Sequence, residues 1–487
     1  MRGAPRRRCS TAPWLVLLAL SGLYLLTRAP SVFPGDPAEL VTAAVTLGIS
    51  HPTGYPLYLL IGKVTTLVMP WFEPAAVMNV LSALLLVVAL GVLVDIQLKL
   101  EVPPTVVAAS IALLGTTPPL WNAATIAEVY TLHVLLLVLV LDIVVRAGDR
   151  PQAFVVPMAF GLAGLSLCNH MTSVLLLPGL ILWLAWLWHR GGIDRLVTTA
   201  LVASGSYLAG ASALALLFLF DRASAINYID QYAFQFPAPV FESVVGRIWW
   251  LVSGAQYHAA AGILDAVFSP GYLLDLLKTC KALVASNPVL VVVGSIGLVD
   301  ASHARRASAP QRAVVLVLAT TAILNLLYLA TYTRYFETVF FGHGYVACAV
   351  GLSLLVTHRI QAVVPRSAVA ALLVIVAGGT VNRYAVAIDK RGTEFYQRET
   401  AALLAHVERN AVIFATWSNS TLFRYELWIR GERPDVRVVN ALPANWLRLA
   451  GLFRERPLYF ESIPPGAPEE YFVPYHDLYQ LLPGKHQ

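Results

Sequence analysis

Apolar residues fall in long blocks along this chain, among them Val80 to Val94, Thr131 to Val145 and Ala368 to Ala377. With its flanks, each block approaches the ~20 apolar residues that a membrane-crossing helix needs. Backbone amides inside lipid must be bonded within their own segment, so such blocks are helices. The short alternating segments of a membrane barrel are absent from the sequence. The pattern predicts spans near 14–30, 76–98, 103–120, 125–146, 152–168, 171–189, 196–220, 286–301, 313–332, 338–357 and 367–381. That is a helical bundle of about eleven spans. The stretch Gly54 to Pro70 is also apolar, but it is short, contains Lys63 and is bounded by prolines.

Charge decides how that stretch is read. The short loops carry Lys99; Arg146 and Arg150; Arg190 and Arg195; Arg305, Arg306 and Arg312; and Arg359 and Arg366. If 54–70 lies in the interface without crossing, all of these share the side of Arg6, Arg7 and Arg8, as the positive-inside rule requires. The N-terminal apolar stretch Trp14 to Leu26 then reads as a retained signal-anchor, because no A-x-A-like cleavage site follows it. The outer side receives the first loop, 31–75, and a large loop, 221–285.

From about Asn382 the pattern changes. Apolar residues take helical spacing over Thr393 to Arg409. Short strand-like runs follow at Ala411 to Thr416, Val436 to Val439 and Leu458 to Ile463, with helices expected between them. The division predicted is a membrane domain, 1–381, and a small α/β domain, 382–487, outside the cytoplasm.

Composition agrees with a membrane protein. Of 487 residues, 57% are hydrophobic and 13% charged, against about 25% charged in soluble domains. The net charge of +6 resides in short loops, which is a topology signal and no argument for nucleic acid. Cys9, Cys168, Cys280 and Cys348 are scattered without metal-ligand spacing and read as packing residues. No Gly-rich phosphate loop occurs and no cofactor is expected, with a divalent ion left open.

The densest polar signal is Pro34-Gly35-Asp36-Pro37-Ala38-Glu39-Leu40, followed by His51-Pro52-Thr53-Gly54-Tyr55-Pro56. If Pro37 starts a helix, Asp36 and Glu39 share a face, with Asp36 as N-cap. Asp36 is then either a cap alone or a general base toward a hydroxyl at the membrane surface. His51 either binds a phosphate or lines the loop. The other outer loops hold Glu128 and Tyr130, Asn169 and His170, Arg247 and His258, and Arg334 and Glu337. An ionisable residue at such a position is a functional candidate. The bland alternatives are an interfacial anchor for Tyr130, a helix break at Asn169-His170 and snorkelling for Lys63.

Four stretches resemble a bacterial family of polytopic membrane proteins defined by a domain of unknown function, whose eukaryotic relatives are transmembrane protein O-mannosyltransferases. These are Gly35 to Leu40 leading to His51 to Tyr58; Leu120-Trp121 through Ala127-Glu128-Val129-Tyr130-Thr131-Leu132; Gly161-Leu162 through Cys168-Asn169-His170; and, more weakly, Val252 to Tyr257. The resemblance implies the C-type glycosyltransferase architecture and an inverting transfer from a polyprenyl-phosphate sugar, mannose or a similar hexose. Carried over, Asp36 is the catalytic base and Glu39 its neighbour. His51, Lys63, Arg247 and Arg334 are candidates for the donor phosphate, since cations stabilise its developing charge. Tyr55, Glu128, Tyr130, Asn169, His170, His258 and Glu337 are candidates for substrate contact. The implied partners are the bilayer, the lipid-linked sugar, and a protein or envelope-glycan acceptor, at the outer face of a bacterial inner membrane. The chain departs from the family at Pro37, where Gly or Ser is common, and at Thr333-Arg334-Tyr335, where an Asp is expected. The rival class is a transporter or lipid-linked-sugar flippase, which would place charges along a midplane pore.

Overall fold

Proline opens most of the early helices. It stands at the first turn of Asp36–Thr46, Pro56–Val68, Pro74–Lys99, Pro104–Gly115 and Pro118–Ala123, where its missing N–H leaves no helical bond unmade. The computed structural model describes residues 11–222, 226–257, 263–304, 307–332 and 337–482. Among these, seven helices are long and apolar enough to cross a membrane: Pro74–Lys99, Tyr130–Ala147, Met171–His189, Leu196–Phe220, Ala309–Leu329, Thr338–Ala362 and Arg366–Ile388. The pair Tyr272–Ser286 and Val289–His303, bent by 114° at Asn287-Pro288, makes an eighth if counted as one broken span. The molecule is an integral, multi-pass membrane protein.

Three of the expected spans are shorter than anticipated. Ala12–Thr27, Pro104–Gly115 and Val155–Leu167 are apolar helices of 10–17 residues. Local sequence explains two of them. Pro118 and Pro119 start a new short helix where 103–120 was expected to continue. After Leu167 the chain breaks at Asn169-His170, and the next span begins with a tight 3₁₀ turn, Met171–Leu175. Pro56–Val68 has 13 residues, roughly 20 Å of helix, and belongs to the same short class as these three.

The bundle has two different ends. The Tyr130–Ala147 helix starts at a polar cavity and finishes at Arg146, which bonds Asp142 and Asp95 beside Lys99. The Gly342–His358 helix likewise starts beside the cavity and is followed by Arg359, paired with Asp300 at 2.9 Å. Lys99, Arg146 and Arg359 therefore sit at the span ends remote from the cavity.

The Arg366–Ile388 helix continues past Asn382 before Asp389 ends it. The C-terminal domain follows, with the Glu394–His406 helix and a five-stranded sheet in the order β2-β1-β3-β5-β4. Strands β1 (Val412–Ala415), β2 (Arg437–Asn440) and β3 (Leu458–Phe460) are parallel, and β4 (Phe472–Tyr475) and β5 (Leu478–Leu481) form an antiparallel hairpin. That hairpin carries no clean alternation and includes Pro474, so the apolar pattern does not announce it. The domain is not tethered loosely. Leu422 and Tyr425 belong to the same buried cluster as Leu40, Tyr58 and Leu251 of the membrane domain.

Candidate active site

Gly35 adopts φ 84, ψ −141, a conformation open only to glycine. It therefore takes the N-cap position of Asp36–Thr46, and no side chain caps this helix. This corrects the expectation that Asp36 is the N-cap. Asp36 is the first helical residue, and its carboxylate is free for other work. Its Oδ1 accepts a 2.7 Å bond from Trp417 Nε1 of the C-terminal domain.

Glu39, one turn later, is buried, with a side chain 2% exposed. Its carboxylate accepts two bonds from His51, one from the backbone N–H at 2.9 Å and one from Nδ1 at 2.5 Å. The other ring nitrogen, Nε2, lies 3.1 Å from Tyr55 Oη and 3.6 Å from Asp36 Oδ2. Tyr55 Oη also lies within donating reach of the Pro52 carbonyl, at 2.9 Å. With Glu39 on Nδ1 and Asp36 near Nε2, the surroundings of His51 favour the ring that carries both hydrogens, an imidazolium. Burial pulls the His51 proton affinity down, but Asp36 and Glu39 outweigh it and push the pKa up to about 9. Burial raises the Glu39 carboxyl, and His51 opposes it.

The loop that carries His51 is held by the large outer loop. Ile49 N–H donates to the Ile226 carbonyl and Tyr228 N–H to the Ile49 carbonyl, at 2.8 and 2.9 Å. A side chain at Gly48 would collide with the Ile226 carbonyl, so this approach needs glycine. The pairing brings the Tyr228 ring to 6.3 Å from His51, where Tyr55 and Trp417 also present aromatic edges.

These groups face a cavity of about 1270 Å³. Of the sequence candidates, Asp36, His51, Tyr55, Tyr130, His170 and Glu337 line it. Glu39 stands behind His51. Glu128 is half-buried; burial drives its carboxyl well up, reinforced by the charges of Asp36 and Glu337. Burial also raises Glu337, with Asp36 adding to it, and lowers His170 to about 4. Asn169 is buried, and its amide donates to the Val129 carbonyl at 3.1 Å, bracing the wall.

Two proposed phosphate cations lie elsewhere. Lys63 Nζ donates to the Val45 carbonyl, and Arg247 is spent on Asp221 and Asp230 at 2.7 Å each. Neither lines the cavity. Arg334 and His258 lie outside the described residues. Among the described residues the cavity wall has no Lys or Arg, so His51 is its charged base. Also among the described residues, no group of three or more His, Cys, Asp or Glu is arranged to hold a metal ion.

Sequence reasoning missed Trp417, Tyr228, Tyr257 and Tyr332, all of which line the cavity. It also missed a buried histidine stack, with the His133 ring 4.1 Å from His343 and 5.0 Å from His170. The signal available for Trp417 was a stripe at i, i+4 and i+7, namely Trp417, Thr421 and Arg424.

The bundle with a small α/β domain seated over its polar end is the C-type glycosyltransferase fold. ArnT from Cupriavidus metallidurans, bound to undecaprenyl phosphate, superposes with a TM-score of 0.57 and 11% identity over 98% of this chain and 99% of that one. The same enzyme in the apo state gives 0.53, covering 94% and 93%. In sequence, residues 36–190 match the family described as Protein O-mannosyl-transferase TMEM260 N-terminal domain. The mouse (Mus musculus) protein O-mannosyl-transferase TMEM260 is 30% identical over 175 residues, 35% of this chain and 25% of that protein. The Dictyostelium discoideum counterpart is 40% identical over 63 residues, 12% of this chain and 8% of that protein. The matches thus span a quarter or less of the curated relatives' length, and the family match over residues 36–190 contains Asp36, Glu39 and His51.

Proposed function

We propose that this chain is an inverting membrane glycosyltransferase that moves a sugar, mannose or a similar hexose, from a polyprenyl phosphate to a hydroxyl of a protein or envelope glycan. The observation that carries the reading is Asp36, which caps no helix and instead presents its carboxylate to a large cavity beside a buried imidazolium. The acceptor oxygen attacks C1 of the sugar, and the C1–O bond to phosphate breaks. Asp36 takes the acceptor's proton as general base, and the polyprenyl phosphate leaves with the bonding pair. His51, held by Glu39 and lining the cavity, is the cation that meets the phosphate charge. Attack from the face opposite the leaving group inverts the anomeric centre. The aromatic wall, with Tyr55, Tyr228, Tyr257 and Trp417, suits a sugar ring and the first isoprene units.

The reaction face is the outer face of the plasma membrane of a bacterium. The basic residues at the far span ends support this orientation, since cytoplasmic ends are the basic ones. A transporter would distribute its ionisable groups along a path, whereas Asp36, Glu128 and Glu337 interact with one another at one end. The test is purified protein incubated with a panel of polyprenyl-phosphate sugars and Ser/Thr peptides. Transfer or donor hydrolysis with one sugar supports the reading; inertness to the whole panel, with substrate movement across vesicles instead, overturns it.

A further inference from the structure

We infer that the C-terminal domain is a working part of the active site and that Trp417 is a positioning residue for Asp36. This rests on the reading of Asp36 as the base. The Trp417–Tyr425 helix sets three polar side chains on one face, at 417, 421 and 424. Each meets the membrane domain at the site. Trp417 Nε1 donates to Asp36 Oδ1 at 2.7 Å. Thr421 Oγ1 accepts the N–H of Gly35, the cap residue immediately before Asp36, at 3.0 Å. Arg424, buried, bonds Gln231 of the large outer loop.

A carboxylate at a helix start can rotate about χ1 and χ2, and only some of those orientations aim an oxygen at an acceptor hydroxyl. The bond from Trp417 fixes Oδ1 and leaves Oδ2, the oxygen 3.6 Å from His51 Nε2, as the one that takes a proton. The indole is itself held, with its ring edge-on to His51 at 5.9 Å and to Tyr228 at 5.5 Å. The Thr421 bond fixes the backbone from which Asp36 projects. Orientation of this kind is worth a large factor, since a misplacement of ~1 Å at a reacting group costs about 100-fold.

The experiment uses the full chain in detergent, with radiolabelled mannose on polyprenyl phosphate and a Ser/Thr peptide, or whichever sugar of the panel the parent transfers. Trp417→Phe keeps an aromatic ring beside His51 and Tyr228 and removes the N–H. We expect kcat to fall about 10- to 100-fold with KM for the donor within about twofold. Thr421→Val should shift kcat in the same direction by less. In an Asp36→Asn background, Trp417→Phe should cost nothing further, because groups acting through one another are non-additive. Trp417→Phe within twofold of the parent, while Asp36→Asn is inactive, overturns the inference and leaves the base assignment standing. So does a full additional loss in the Asp36→Asn background. Full activity of Asp36→Asn overturns the reading beneath it.

Discussion

Nδ1 of His51 lies 2.5 Å from Oε2 of Glu39. This contact, with the second bond from the His51 backbone, makes a buried carboxylate the anchor of the only charged base among the described cavity-lining residues. Glu39 is thereby set apart from Asp36: it holds the His51 ring, and Asp36 faces the cavity.

A pH prediction follows from that pairing. The folded pKa of His51, about 9, is raised above the ordinary imidazole value of 6.5 by Asp36 and Glu39. Its contribution to stability is therefore complete below about 6.5 and lost as pH rises through about 9. The transfer rate should decline over the same alkaline window as the phosphate loses its cation. Glu39→Gln removes one of the charges that hold the proton, so the alkaline limb should move down in pH and the rate fall. His51→Gln should abolish the limb. An alkaline limb that stays in place in both variants would show that another group titrates there.

Packing in the membrane gives a second test. The Val155–Leu167 and Leu196–Ala211 helices cross where a Cβ on Gly164 would collide with the Tyr207 carbonyl, the small-residue contact that lets membrane helices approach. Gly164→Ala should lower the thermal midpoint, by about 1–3 kcal/mol of overpacking strain. Gly378→Ala, with nothing within 4 Å of its added carbon, should leave it unchanged. Thermal unfolding in detergent compares the two.

The orientation is checked with a reporter fused after Gln487. The C-terminal domain shares its side with the first loop, through Trp417 and Asp36. A phosphatase that works only outside the cytoplasm should be active there. A fluorescent protein that folds only in the cytoplasm should stay dark, and a bright one would reverse the assigned faces.

Seven of the eleven expected spans were legible because lipid forces long apolar blocks, whereas the reading of 54–70 as interfacial came from the parity of the basic loops. Asp36, Glu39 and His51 were legible as a cluster because a proline-started turn sets the two acids one turn apart. What their contacts would be was not legible. Gly35, with its positive φ, takes the cap that Asp36 seemed placed to fill. Lys63 and Arg247 read as free cations, yet a carbonyl and two aspartates consume them, and no sequence pattern reports such pairings. Trp417 bonds Asp36 across 381 positions, a separation that local pattern reading does not reach. The polar stripe of its helix marked a buried face, without saying what it met.

The central claim is that Asp36 is the base. Asn is nearly isosteric with Asp, and no cap is lost by the change because Asp36 caps nothing. Asp36→Asn should therefore stay folded and in the membrane. Its rate of sugar transfer from polyprenyl phosphate should fall by about 10² to 10⁴, because the amide cannot take the acceptor's proton. Transfer by purified Asp36→Asn within a few-fold of the parent would contradict the account.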